Sequence, residues 1–252
     1  MLIEALETAI GSDFGLADAP GFRKSGAFPL LMTGPTRLQF NFADCGQRRG
    51  PYIGPYWFAR RWQEPGILYF EEQWIQKMVR GEVISRSRFF PFILVWRDFD
   101  SFPAPEHPLH WKGEGMNPVA VHRTSWTEPD AVYLAVKAGT PVAPHGHMDI
   151  GSFVLDADGV RWAVDFGAES YGALEARNLD IWNKRQHSDR WRTFRYHNIS
   201  HNTLTVNGEE QIVNASAPIT RFSADAAFPH TVMDMSPVYE GQLARAERGF
   251  VL

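Results

Sequence analysis

The sequence predicts an α+β chain: a short N-terminal all-helical segment followed by an antiparallel β-sandwich. Three observations carry that expectation. Apolar residues recur at helical spacing only in the first third of the chain. From Val119 onward, short apolar runs of strand length follow one another. Asp158-Gly159 and Asn207-Gly208 are hairpin dipeptides, because both central residues of a tight two-residue turn need positive φ. Many short strands joined by such turns favour two packed antiparallel sheets.

Taken in order, Leu2, Ile3, Leu6 and Ile10 mark one helical face, and Gly11 is its stop. Residues 12–53 are rich in Gly and Pro, with turns at Gly34-Pro35 and Gly54-Pro55. Phe22, Phe28, Phe40 and Phe42 argue that this irregular stretch is packed. Helical patterns return over Tyr56–Gln63 and Phe70–Val79, the second closed by Gly81. The apolar run Phe89–Trp96 is too short to span a membrane and holds Pro91, which suits a buried connector or an edge strand. The Pro-rich stretch Ser101–Pro108 reads as a linker, so the domains are expected at 1–100 and 101–252. Strands are predicted over Val119–Arg123, Ala131–Lys137, Ser152–Asp156, Arg161–Asp165, Asn202–Val206 and Ile219–Ser223.

Composition narrows the function classes. The chain has 252 residues and a net charge of −4, with no strongly basic stretch, which excludes an electrostatic footprint for nucleic acid. It has no apolar run long enough for a membrane span, and its first residues lack the basic start of a signal peptide. With the single cysteine Cys45 no internal disulfide forms.

The chemistry concentrates in His145-Gly146-His147-Met148-Asp149-Ile150-Gly151-Ser152-Phe153. In an extended segment His145, His147 and Asp149 share one face, a pattern suited to metal coordination or proton transfer. A β-hairpin follows, Asp165 lies on its return arm, and His201 opens a later strand. A two-residue turn at Asp158-Gly159 would put Asp165 opposite Ser152. That leaves His147 about 16 Å away on a straight strand. Joining His147 to Asp165 therefore demands that the chain turn back near Ile150-Gly151, where glycine permits it.

Three blocks together resemble the heparinase II/III-like family of polysaccharide lyases. They are His145–Phe153, Val164-Asp165-Phe166-Gly167 with Tyr171, and Ser200–Gly208 ending at Gln211. A weaker match runs from Pro35 to Asp44 and contains Phe40-Asn41-Phe42-Ala43-Asp44. The resemblance implies an incomplete α/α toroid preceding the sandwich, and β-elimination on a uronic-acid-containing polysaccharide such as heparan sulfate or alginate. It implies a structural zinc held by His147, Asp165 and His201, and it puts His145 on the cleft side. Tyr171 and Tyr196 are the tyrosine candidates for proton transfer in the β part. Among Arg177, Arg185, Arg190, Arg192 and Arg195, the candidates to meet an anionic substrate are Arg185 and Arg195. His107, His110, His122, His187, His197 and His230 are expected on the surface or in loops.

The resemblance implies that the full-length parent works in the periplasm or outside the cell. The residue pattern also admits a carbohydrate-binding or scaffold module and a zinc-dependent glycan hydrolase. Both ends read as cut, because the first helix has no cap before it and Phe250-Val251-Leu252 reads as mid-strand.

Overall fold

The computed structural model describes residues 1–48, 50–82, 87–98 and 101–252. It separates into two compact units: Met1–Leu31 with Gly50–Glu106, and Met32–Arg49 with His107–Leu252. The expected boundary at 100/101 abuts residues 99–100, which lie outside the described residues. The sequence reading also left residues 32–49 with the helical part, whereas they cluster with the β unit.

The first unit is helical. Leu2–Ile10 ends on Gly11, whose left-handed φ of 75° lets its N–H bond back to the Glu7 carbonyl. Gly54–Trp62 carries proline in its first turn, where a missing N–H costs nothing. Glu72–Val79 follows, and Gly81 lies beyond it at φ 73°. The run expected as a connector or edge strand is instead a helix over Phe92–Trp96. Pro91 at its cap presets a helical φ, and Ile93 and Trp96, three apart, are the buried pair. No helix among the described residues is long and apolar enough to cross a membrane.

The second unit is built on two antiparallel sheets. The larger has the order β1 (His110–Gly113), β2 (Val119–Arg123), β3 (Tyr133–Lys137), β4 (Phe153–Ala157), β5 (Val160–Ala163). The smaller joins β6 (Ile219–Ser223), β7 (His230–Asp234) and β8 (Glu247–Val251) in sequence order. Asp158 and Gly159 both have positive φ, 53° and 73°, and close the β4–β5 hairpin as the dipeptide predicts. Asn207 and Gly208 also take positive φ, but they connect no strands, and the expected strand over Asn202–Val206 is irregular. There the backbone is tied to side chains instead: Asn198 Nδ2 donates to the Leu204 carbonyl and Tyr239 hydroxyl bonds the same oxygen.

Strands β2 and β3 are buried on both faces, which explains why their sequences do not alternate cleanly. Ala120, Leu134 and Val136 face the smaller sheet and pack with Met233 and Phe250 in the sandwich core. The opposite face carries Arg123, Tyr133 and Lys137, all buried. It is covered by the strap of residues 32–48. Arg161 of β5 donates to the Leu38 and Gln39 carbonyls, and Thr36 donates its hydroxyl to Asp156 of β4. These bonds are the physical reason that the strap belongs with the β unit.

Candidate active site

The strap delivers Asp44, and the loop between β3 and β4 delivers His145 and His147. That loop is not the extended segment the sequence suggested. His145 takes a left-handed φ of 57°, unusual for a residue with a Cβ, and Gly146 follows in a crowded turn. A Cβ on Gly146 would sit 2.3 Å from the Pro141 carbonyl oxygen, so only glycine fits between the two histidines. The reversal demanded near Ile150-Gly151 is present: Gly151 has φ 83° and Ser152 N–H bonds the Asp149 carbonyl.

A register shift in the β4–β5 pair further moves the return arm, setting Ala163 opposite Leu155. Asp165 therefore leaves the sheet instead of lying opposite Ser152 within it. Its Oδ2 stands 2.7 Å from His201 Nδ1. The His147 and His201 rings are 5.4 Å apart.

Asp44 is the hub of the site. Its Oδ2 lies 2.7 Å from His145 Nδ1 and accepts the Tyr171 hydroxyl, while Oδ1 lies 3.1 Å from His147 Nε2. Tyr171 hydroxyl is also 3.2 Å from His145 Nδ1. Burial pushes the Asp44 carboxyl up, but the hydrogen bonds from His147, Tyr171 and His145 outweigh it and hold it at about 2. Asp44 is thus an anion that fixes two imidazoles and a phenol. Burial, together with the bond to Asp44, raises the Tyr171 phenol and keeps it protonated. The His145 side chain is 60% exposed, so its ring reaches solvent while its Nδ1 is held from behind.

Asp149 does not share a face with the two histidines. It is fully buried against Lys137 of β3, and its other oxygen accepts the Ala43 N–H at 3.1 Å. Burial acts against its charge, yet Lys137, His201 and His147 hold its carboxyl low. Ala43 itself is left-handed, with φ 53°, and directly precedes Asp44. The Lys137–Asp149 pair therefore pins the turn that aims Asp44.

The candidates for zinc are brought together and buried. His147 and His201 have no exposed side-chain surface and Asp165 has 2%. His147 Nδ1 and His201 Nε2 are buried without a hydrogen-bond partner among the described residues. Burial lowers His147; it acts likewise on His201, but the Asp165 hydrogen bond and the charges of Asp149 and Asp165 raise that ring overall. Two imidazoles with orphaned nitrogens and a carboxylate suit zinc chemically. Among the described residues no group of three or more His, Cys, Asp or Glu is arranged to hold a metal.

The remaining candidates separate. Tyr196 is 0% exposed and packs its ring 4.6 Å from that of His147, and its buried hydroxyl has no hydrogen-bond partner among the described residues. A hydroxyl without solvent access touches no substrate in this conformation, so Tyr196 supports His147 by packing. Arg195 donates to the Phe166 and Ala168 carbonyls and pairs with Glu169, which commits it to holding the 166–169 loop. Arg190 is buried against the Gly146 and Ile181 carbonyls. Arg185 is exposed and forms no salt bridge among the described residues. His122, expected at the surface, is fully buried in β2.

Sequence reasoning gave no role to Asp44 or Lys137. The available signals were the position of Asp44 at the end of the Phe40–Asp44 block and a lone lysine closing the apolar run of β3.

The family model described as "Heparinase II/III-like, C-terminal" matches residues 119–238. Those residues are similar to the C-terminal domain of that family. The match holds His145, His147, Asp165, Tyr171 and His201, while Asp44 lies outside it. The chain is similar in fold to the heparan sulfate lyase HepC from Pedobacter heparinus, at 14% identity and a TM-score of 0.60, covering 98% of this chain and 32% of that one. It is similar likewise to a heparinase III structure, at 14% identity and a TM-score of 0.57, with 99% and 35% covered. The chain thus spans about a third of the length of these structures, and at such identity the likeness concerns fold alone. No curated protein sequence matches it.

Proposed function

We propose that this heparinase II/III-like domain serves a polysaccharide lyase that cleaves a uronic-acid-containing polysaccharide by β-elimination. The observation that supports the reading is the convergence of an exposed His145 and the Tyr171 hydroxyl on one buried-edge carboxylate, Asp44. Elimination needs a base for the proton on the carbon next to the uronate carboxylate, and an acid for the departing glycosidic oxygen.

The hydrogen bonds suggest the division of labour. With Nδ1–H donated to Asp44, His145 keeps the lone pair of Nε2 on the open side, which suits the base. The electron pair left on the substrate carbon forms the double bond to the neighbouring carbon, whose bond to the glycosidic oxygen breaks. Tyr171 gives its proton to that oxygen. The 3.2 Å between His145 Nδ1 and Tyr171 hydroxyl lets the imidazolium return its Nδ1 proton to the phenolate, and proton exchange with solvent at the exposed ring then restores the Nδ1–H tautomer; water is not a reactant in the elimination itself. Exposed Arg185 remains a candidate for the substrate anion.

His147, Asp165 and His201 are the residues that would hold zinc, which would serve the structure beside the cleft by fixing the loop that carries His145. A charged polymer does not cross a membrane unaided, so the reading places the reaction in the periplasm or outside the cell. Product analysis on heparan sulfate and alginate tests it. An ultraviolet-absorbing unsaturated uronate end that depends on His145 and Tyr171 supports elimination. Reducing ends without that chromophore would mean hydrolysis, and binding without either product would mean a carbohydrate-binding module.

A further inference from the structure

Trp182 stands beside this site and the proposed reaction does not use it. The residue is 58% exposed, a large apolar side chain to leave in water. Lone exposed apolar residues are ordinary, but this one is held in place from two sides. Its Nε1–H donates to Glu175 Oε1 at 2.8 Å, and its ring meets that of Tyr171 at a centroid distance of 4.9 Å and an interplanar angle of 66°. The Tyr171 ring in turn lies nearly parallel to the His145 imidazole, at 15° and 6.2 Å. His145, Tyr171 and Trp182 therefore form a continuous row of rings.

We infer that Trp182 is a sugar-stacking platform: its open indole face receives a pyranose ring of an acidic oligosaccharide next to the Tyr171–His145 pair. The inference rests on the lyase reading for the identity of the site, and adds to it a binding subsite and a ligand class. The apolar face of a pyranose, lined by C–H bonds, matches the electron-rich face of an indole in size and in charge distribution. Tethering by Glu175 removes the rotamer freedom that binding would otherwise have to freeze, so contact area converts to affinity. The preference for an acidic sugar comes from the same segment. Arg177 and Arg185 flank Trp182 in sequence, both are exposed, and neither is in a salt bridge among the described residues. Glu175, the carboxylate that meets the indole, is already engaged by its N–H.

Binding is measured calorimetrically, with no need for turnover, using heparan sulfate and alginate oligosaccharides of four to six sugars and a neutral cello-oligosaccharide of equal length. Wild-type protein is expected to bind at least one acidic probe more tightly than the neutral one. Trp182→Ala should weaken that binding about tenfold or more, and Trp182→Phe should stay within about threefold. Because the indole is exposed, the melting temperature of both variants should match the wild type. Equal binding by Trp182→Ala, or no binding of either acidic probe by the wild type, overturns the platform. The lyase reading fails separately: loss of binding in Trp182→Ala with no unsaturated product from the wild type would leave the platform standing and remove the elimination. Unsaturated product with unchanged affinity in Trp182→Ala would do the reverse.

Discussion

His122 should make this protein acid-labile by a measurable amount. Its ring sits between the two sheets with no solvent exposure, Nε2 2.7 Å from Thr231 Oγ1 on β7 and Nδ1 3.2 Å from His110 Nδ1 on β1. It also stacks on Phe222 of β6 at 5.4 Å. Among the described residues the titratable groups that act on its charge are His110 and His230, and neither offers a negative charge to balance a proton. Burial, with the repulsion of His110 and His230, lowers His122 from an ordinary 6.5 to about 4. Between those values the unfolded chain binds the proton and the folded chain does not. Stability from this residue is therefore complete above pH about 6.5 and is lost progressively as pH falls toward 4. At pH 5 the loss amounts to about 2 kcal/mol, from about 1.5 pH units at about 1.36 kcal/mol each. His110 is also lowered by burial, so it adds to the trend in the same sense. Urea unfolding at pH 7.5 and pH 5 measures the drop in wild type and in His122→Gln, which keeps a polar contact with Thr231 but does not titrate. The wild type should lose about 2 kcal/mol more than the variant. Equal losses in the two proteins would refute the reasoning, because the drop would then come from groups elsewhere.

Two other outcomes test the site. Asp44→Asn removes the charge that holds His145, His147 and Tyr171; it should lower turnover about 100-fold or more and destabilise by about 1–3 kcal/mol, read by product absorbance and urea unfolding. Full activity in that variant would show that Asp44 does not set the geometry. Purified protein should retain about one zinc per chain, His147→Ala and His201→Ala should lose it together with thermal stability, and His145→Ala should keep it. Metal analysis that finds zinc undiminished in His147→Ala would remove that residue from the ligand set.

Much of the fold was legible where local chemistry decides the outcome. Asp158-Gly159 needs positive φ twice, and the hairpin forms there. Leu2–Ile10 carries its own stop in Gly11. Legibility fails where a distant partner decides. Phe89–Trp96 is apolar at every position but Pro91, so periodicity cannot separate helix from strand; burial of Ile93 and Trp96 alone selects the helix. Asn202–Val206 looks like a strand by composition, yet its Leu204 carbonyl is met by Asn198 and Tyr239 side chains, its Asn202 carbonyl by Arg248, and no ladder forms. The three sequence blocks led to His145, His147, Asp165, Tyr171 and His201, which the fold does bring into one neighbourhood. The separation of Tyr196 from Tyr171 was not legible, because which phenol is covered depends on the packing of Met148, Leu174 and Trp191 around it.

Asp44 shows why a site of this kind resists reading from one motif. It sits more than a hundred residues before His145, on a strap with no regular structure, and nothing in its local sequence says what it faces. What aims it is a chain of buried polar contacts that begins in the sheet. Lys137 ends β3 on the face turned from the sandwich core and pairs with Asp149, both fully buried. A buried ion pair yields little net stability, because desolvation offsets the attraction, so its value lies in the geometry it imposes. Asp149 holds the Ala43 N–H and with it a left-handed turn that a lone alanine would not choose. That turn points the Asp44 carboxylate at two imidazoles and a phenol. The strained backbone at Ala43 and at His145 thus meets across one carboxylate, and rigid elements on both sides sustain the strain. A strand, a strap and a loop each contribute one part, and the site exists only when the sheet has formed beneath them.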